Sequence, residues 1–358
     1  MQNSVCGPLS LSSSFPPVFL IFSCNANFIF MSILFSRLYS GVWDGIKGGA
    51  QQLKYWRGPA SMENKQYEEK QQKKPGRQRK LPLFYEFVMT LLRLRLNLPL
   101  LMLADMFFVG TSTVTEITIT WIAFLHQTLY PALVQWPSQS SVRKMMPKDF
   151  RKFFPTVRVI IDCTEFFIDR PRNKEEQYKT YSQYKSHNTY KCLVGINPNG
   201  SFTFISELWG GNVSDKYLTQ QSGLIAKLDE GDSVMADRGF HIEDDLLMCG
   251  AKLVAPPFTR KTQDGKGKRL NVSEIHRTRE IARFRIHVER AIQRLKTFRI
   301  LKHQIPVTLS DMSSMIVQVV SALCNLKGPL YHDKSVCPLV KKSATRNKPV
   351  KRSAVRSN

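Results

Sequence analysis

VRVIIDC, Val157 to Cys163, and DSVMAD, Asp232 to Asp237, are two apolar runs that each close on an acid. Each has the length of a strand. Continuous apolar runs of this kind suit strands buried on both faces, as in a sheet covered by helices on either side. An apolar strand gains no stability from a terminal aspartate, whereas the carboxyl ends of strands in open sheets are where ligands bind. If the two strands are neighbours, Asp162 and Asp237 lie close together, and two such carboxylates share a proton or bind a cation. Hard oxygen donors of this type suit Mg²⁺ or Mn²⁺. The alternative is that each aspartate caps the turn or helix after it.

Between these runs, Thr189–Ile196 and Ser201–Leu208 flank Asn197-Pro198-Asn199-Gly200, a hairpin signal. A helical stretch is expected over Ser214–Leu228, a short strand over Lys252–Ala255 and a basic loop over Thr259–Asn271. Long amphipathic helices follow over Ser273–Phe298 and Asp311–Asn325. At about 100° per residue, Ile281, Phe284, Ile292 and Leu295 share the face of Val288, while Arg285, Glu289 and Lys296 gather at its rim. A carboxylate there can face the strand acids while the cations approach phosphates. The bland alternative is an ordinary surface ion-pair cluster.

Upstream, the pattern is helical over Leu81–Leu96, Leu100–Phe107 and Thr111–His126. The break at Phe108-Val109-Gly110 makes the last two a helix-turn-helix candidate. In that motif the second helix enters the DNA major groove. Its outward residues are expected to be Thr111, Ser112, Thr113, Thr115 and Thr118. Strands after helices give an α/β fold preceded by a small all-α region.

The 358 residues allow about two domains plus tails, and an aliphatic and aromatic content of 42% excludes whole-chain disorder. Lys plus Arg number 52 against 28 Asp plus Glu, a net charge of +24. That excess points to a polyanion, with nucleic acid before an anionic membrane. The seven cysteines include no C-x-x-C pair, which argues against a disulfide framework or a cysteine zinc finger. Residues 1–36 carry no charge and include the apolar Phe15–Phe35, read as a poorly defined leader, a mis-called start or an anchor. Lys65–Lys80 reads as a solvated linker or a phosphate-contacting arm. Four regions follow: a leader and basic linker over 1–80, a helix-turn-helix-like region over 81–135, a nuclease-like α/β domain over 154–330 and a basic tail over 331–358.

The segments IIDCTEFFI, YSQYKSHNTYKCLVGI, FISELWGGNVSDK, GDSVMADRGF and RIHVERAIQRLKTFRIL resemble the DDE superfamily endonuclease domain of eukaryotic PIF/Harbinger-like DNA transposases. The resemblance runs from about Val157 to Leu301, and Leu81–Leu125 is similar to the helix-turn-helix of that family. It implies an RNase H-like sheet flanked by helices, and a triad of Asp162, Asp237 and Glu289 holding two divalent cations, Mg²⁺ or Mn²⁺. It implies metal-dependent cleavage of DNA phosphodiester bonds, with strand transfer where a DNA 3′-hydroxyl is the nucleophile. Glu165 and Asp215 match recurrent acids and are expected to support the triad. Arg285 and Lys296 match cations around the family's glutamate. With Arg238, Lys261, Lys266, Lys268 and Arg269 they are expected to neutralise DNA phosphates. Phe108 stands where the family's turn carries glycine, which is expected to distort the turn. The resemblance also implies a nuclear location, a Myb-like accessory protein, assembly as a homo-oligomer on DNA and no small-molecule cofactor. The competing readings are a transposase-derived protein that binds DNA or a partner without cutting and, more distantly, a membrane-anchored basic protein.

Overall fold

The computed structural model describes residues 40–55, 79–257, 260–261, 268–328 and 330. Expectations for residues 1–39, 56–78 and 331–358, including the apolar leader and the basic tail, lie outside these residues. Four helices come first: α1 (Ser40–Ala50), α2 (Leu83–Leu96), α3 (Leu100–Phe107) and α4 (Thr111–Leu133). They close around buried Phe87, Leu94, Leu103, Ile117 and Trp121. Pro82 and Pro99 immediately precede α2 and α3, where a missing N–H costs no helical hydrogen bond. α4 runs past the expected end at His126 because Phe124, Leu125 and Leu129 continue its buried face.

The chain bends by 99° between α3 and α4, within the range of a helix-turn-helix. Phe108 closes the turn rather than distorting it. Its backbone adopts the left-handed conformation, φ 54° and ψ 44°, that glycine usually supplies, and its N–H bonds the carbonyls of Ala104 and Asp105. The side chain is 73% exposed, so the cost is that of one left-handed residue, about 1–2 kcal/mol. Thr111 and Ser112 face solvent, with Thr113 and Thr115 partly exposed. Thr118, expected to point outward, is buried and its hydroxyl donates to the Val114 carbonyl at 2.7 Å. It shares the inward face of Val114 and Trp121, at helical spacing.

Two short helices, α5 (Gln139–Met145) and α6 (Lys148–Phe153), lead into the sheet. β1 (Val157–Phe167) is followed by α7 (Lys174–Thr180), β2 (Tyr181–Ser182), β3 (His187–Ile196), β4 (Phe202–Ile205) and β5 (Trp209–Gly210). Then come α8 (Asp215–Gln221), β6 (Ser233–Met235), α9 (Glu243–Met248) and β7 (Lys252–Val254). The basic loop carries a two-stranded ribbon, β8 (Arg260–Lys261) and β9 (Lys268–Arg269), before α10 (Val272–Lys296), α11 (Arg299–Lys302) and α12 (Ser313–Asn325). The main sheet runs β2-β3-β1-β6-β7, with β4 and β5 also on β3. β1 is antiparallel to β3 and parallel to β6. This mixed, curled sheet flanked by helices is an RNase H-like α/β fold.

The hairpin expected at residues 197–200 joins β3 to β4, with Gly200 at φ 92°. The expected helix over Ser214–Leu228 is shorter; α8 ends at Gln221. Asn271 caps α10, its side chain accepting the Glu274 N–H while the Glu274 carboxylate takes the Asn271 N–H. Cys163, Cys192, Cys249 and Cys324 are free thiols.

Alternation along β1 sorts its side chains into two cores. Ile160 and Phe166 join Val194, Met235 and the buried stripe of α10 (Ile281, Phe284, Val288, Leu295). Val159 and Ile161 join Leu193, Val234, Leu218 and Leu246 on the other face. The first core is continuous with the helical region, because α12 packs against α4.

Candidate active site

Asp162 does not end its strand. β1 continues to Phe167 because β3 pairs with it as far as Phe167↔Thr189. What ends near Asp162 is the parallel pairing with β6, whose last partners are Ile160↔Met235. Asp162 and Asp237 therefore lie two residues past the same pair, on neighbouring strands and at one level. Asp162 falls on the face of Ile160 and Phe166, toward α10. The capping alternative is also present: the Asp162 Oδ1 accepts its neighbour's N–H (Cys163, 3.0 Å), and the Asp237 Oδ1 accepts from Arg238 N at 2.7 Å, opening the turn Arg238–Phe240.

α10 delivers the third acid and a cation. Arg285 Nη1 lies 2.9 Å from Asp237 Oδ1, and its Nη2 3.3 Å from Glu289 Oε1. The same guanidinium acts electrostatically on Asp162. One arginine thus gathers the charge of three carboxylates that come from two strands and a helix. Burial pushes the Asp162 carboxyl up to about 6, Arg285 and the Cys163 N–H oppose the rise, and Asp237 and Glu289 add to it. Among the described residues no three acidic, His or Cys side chains close on a single point; Asp237 and Glu289 pair with the arginine instead, and Asp162 feels its charge. Their donor chemistry is that of a hard-cation site, and a cation already sits on two of them.

Lys296, the last residue of α10, holds its Nζ 5.8 Å from the ring centroid of Phe166. Burial lowers its pKa, the nearby Lys185 lowers it further, and Glu165 and Asp162 pull it back up. Arg285, Glu289 and Lys296 are thus on the rim that the helical spacing placed them on.

Glu165 and Asp215 do not join Arg285. Glu165 lies an odd number of residues from Asp162 along β1 and falls on the opposite face. It accepts the Thr189 hydroxyl at 2.8 Å and lies 3.9 Å from Lys191 Nζ. Lys191 in turn donates to Asp215 at 3.2 Å and to the Val213 carbonyl at 2.7 Å. Burial, first, and then Asp215 raise the pKa of Cys163 between them. This second polar cluster braces β1 against β3 and the start of α8. Lys191 escaped the sequence reading; the available signal was a lone cation in the apolar run YKCLVGI, opposite an acid in register.

Of the other basic positions, Arg238 donates its backbone N–H to Asp237. Lys261, Lys268 and Arg269 lie in the β8–β9 ribbon. Lys266 lies outside the described residues.

Residues 161–325 match the family model of the DDE superfamily endonuclease, and residues 79–131 match that of the helix-turn-helix of DDE superfamily endonuclease. A curated relative, a probable transposase for an insertion sequence element of Microchaete diplosiphon, is 32% identical over 146 residues, which is 41% of this chain. The matched stretch spans about half of that relative, 49% of its length.

Proposed function

We propose that this chain, in which a helix-turn-helix over residues 79–131 stands before a DDE superfamily endonuclease domain over 161–325, is a metal-dependent DNA endonuclease of the transposase type, similar to the eukaryotic PIF/Harbinger-like group. The observation that carries the proposal is the pairing of Asp237 and Glu289 on the guanidinium of Arg285, with Asp162 on the neighbouring strand within its electrostatic reach. Three acids brought to one cation from separate elements are costly unless a cation is what they serve. Asp162, Asp237 and Glu289 would hold the divalent ions, Mg²⁺ or Mn²⁺. When bound, such ions supply an activated water or 3′-hydroxyl and charge for the leaving 3′-oxygen.

The chain's own residues do the rest. Asp162, half-desolvated on the sheet, is the acid that gains most from a cation. Arg285 bonds Asp237 and Glu289, the acids that would hold the metal, and its charge would serve a DNA phosphate. Lys296 meets the backbone beside it, Arg238 is a further phosphate contact, and Lys261, Lys266, Lys268 and Arg269 add positive charge from the basic loop. Thr111, Ser112, Thr113 and Thr115 approach the duplex at the start of α4. Glu165 and Asp215 act through Lys191, by holding β1 in register. The net charge of +24 supports a polyanionic substrate. The same proposal puts the protein in the nucleus, as a homo-oligomer on its DNA with a Myb-like accessory protein.

The test is nicking of supercoiled plasmid with Mn²⁺ or Mg²⁺, wild type against Asp237→Ala. Nicking by the wild type and not by the variant is expected. Folded, metal-supplied wild type that retards DNA on a gel and never nicks it would sink the endonuclease and leave a silent DNA-binding protein.

A second prediction concerns the arginine. Arg285→Gln removes the cation from three acids, so the metal-free variant is expected to melt roughly 3 °C lower, the effect of about 1 kcal/mol in a chain of this size. Mn²⁺ should restore the difference, and DNA affinity should fall because a phosphate contact is lost. Thermal melts with and without Mn²⁺ check this. An unchanged metal-free melting temperature would mean that Arg285 does not offset the repulsion among the acids.

A further inference from the structure

The segment Tyr178–Lys185 presents three large aromatic side chains that no core uses. Tyr178 is 75% exposed, Tyr181 45% and Tyr184 84%. They lie at the outer edge of the sheet, on α7, β2 and the turn into β3. Their support is firm. Gly210 of β5 leaves no room for a side chain against the Lys179 carbonyl, and the Asn188 amide donates to the Gln177 carbonyl and the Thr180 hydroxyl, both at 2.9 Å.

The sheet register relates this edge to the acids. Asp162 pairs with Val194 and Tyr181 pairs with Asn188. Val194 and Asn188 are an even number of residues apart on β3, so Asp162 and Tyr181 share one face. Asn188 accepts the N–H of Ile168, which sets Tyr181 about 20 Å along β1 from Asp162 and about 10 Å across the sheet. On that face Phe166 is buried under the end of α10, so a path between them runs over Lys296, which covers the Phe166 ring, and not over the sheet itself. Lys185 holds its Nζ 4.3 Å over the ring of Tyr184 and lies within electrostatic reach of Lys296. Of the acids on α7, Glu175 is taken by Lys179 at 2.5 Å, and Glu176 lies on the same exposed helix.

We propose that the exposed tyrosines of Tyr178–Lys185 form a stacking platform for an unpaired DNA strand that runs from the three acids, past Lys296, to the β2 edge. The inference rests on the endonuclease reading and names where that site holds its substrate's flank. Phosphates need only the lysines. Aromatic faces in water add a preference for bases, and bases within a duplex are already stacked, so the platform selects an unpaired strand. The span of about 20 Å corresponds to about six nucleotides at the 3.4 Å spacing of a stacked strand.

The test measures fluorescence anisotropy of a labelled single-stranded 20-mer and of the duplex of the same sequence, in metal-free buffer, with the full chain. The variants are Tyr178→Ala/Tyr181→Ala/Tyr184→Ala and the corresponding triple Phe. The Ala variant is expected to bind the single strand about thirtyfold more weakly, from roughly tenfold per stacked base in part realised, and the duplex nearly as well as wild type. The Phe variant keeps both affinities, because stacking needs the ring and not the hydroxyl. An Ala variant with wild-type single-strand affinity overturns the inference and leaves this edge to a protein partner. Equal losses on both forms, or a Phe variant as weak as Ala, overturn it as well. Plasmid nicking by the same preparations separates the two readings. Nicking together with tyrosine-independent single-strand binding overturns the platform alone. Tyrosine-dependent binding without nicking supports the platform and overturns the endonuclease.

Discussion

Asp162→Asn is expected to reduce metal-dependent nicking by at least about 10³-fold, the rate equivalent of losing several kcal/mol of charge stabilisation at a metal site, and to make the metal-free protein more stable. The two effects have one cause. Burial holds the Asp162 carboxyl at about 6 against an ordinary 3.8. The folded protein therefore binds a proton here more tightly than the unfolded chain does. A raised carboxylate pKa costs stability as pH climbs: there is no cost below about pH 4, where both states are protonated, and the full cost is reached above about pH 6. Two units amount to about 3 kcal/mol as an upper figure. Asparagine never ionises, so the variant lacks this contribution to the pH dependence across the window. Melting temperatures should coincide near pH 4 and separate by several degrees at pH 7.5, with the variant higher. Mn²⁺ should raise the wild type and leave the variant where it is. A variant that nicks within tenfold of wild type, or melts no higher at pH 7.5, would remove Asp162 from the site.

The pairing of Asp162 with Asp237 was legible because both close apolar runs, and a parallel pair with matched ends brings matched ends together. The continuation of β1 was not, since residues 164–167 are held in the strand by β3, a non-local partner. That continuation decides the fate of Glu165. A strand ending at Cys163 would let Glu165 turn toward Asp162. Once the strand runs on, alternation sends it to the other face and to Lys191. Glu289, Arg285 and Lys296 were readable on a helical wheel because α10 is long and its apolar stripe regular. The helices α5 and α6 were missed because six or seven residues carry too little periodicity. What fixes α6 is tertiary: Phe150 meets Phe284 of α10 at 4.4 Å between ring centroids. Phe108 was misjudged for the opposite reason, since a local rule about glycine yields when the side chain can point into water and the cost is a single residue's.

The second large effect is expected in the helical region. Glu86 of α2 is fully buried and accepts three hydrogen bonds: from the Tyr55 hydroxyl at 2.5 Å, Arg79 Nη1 at 2.9 Å and Trp121 Nε1 at 2.9 Å. Arg79 also donates to the Leu53 carbonyl and stacks 4.6 Å from the ring centroid of Tyr55. One carboxylate therefore ties the segment after α1 and the segment before α2 to the long helix α4. Glu86→Ala leaves a guanidinium, a hydroxyl and an indole N–H short of their acceptor, a loss of about 3–5 kcal/mol, or a melting temperature lower by about 10 °C. Trp121 emission should shift to the red as its N–H meets water, and DNA retardation should weaken with the helix-turn-helix it anchors. Glu86→Gln, which keeps one acceptor oxygen, should lose less. An Ala variant melting within about 2 °C of wild type would mean that residues 53–55 and 79 are not docked on α2. Glu86→Leu combined with Arg79→Met tells the ion pair from the network. Buried ion pairs exchanged for apolar residues often cost little, so recovery in the double variant would assign the loss to the orphaned guanidinium. A double variant as unstable as Glu86→Ala would assign it to Tyr55 and Trp121, whose polar hydrogens still lack an acceptor there.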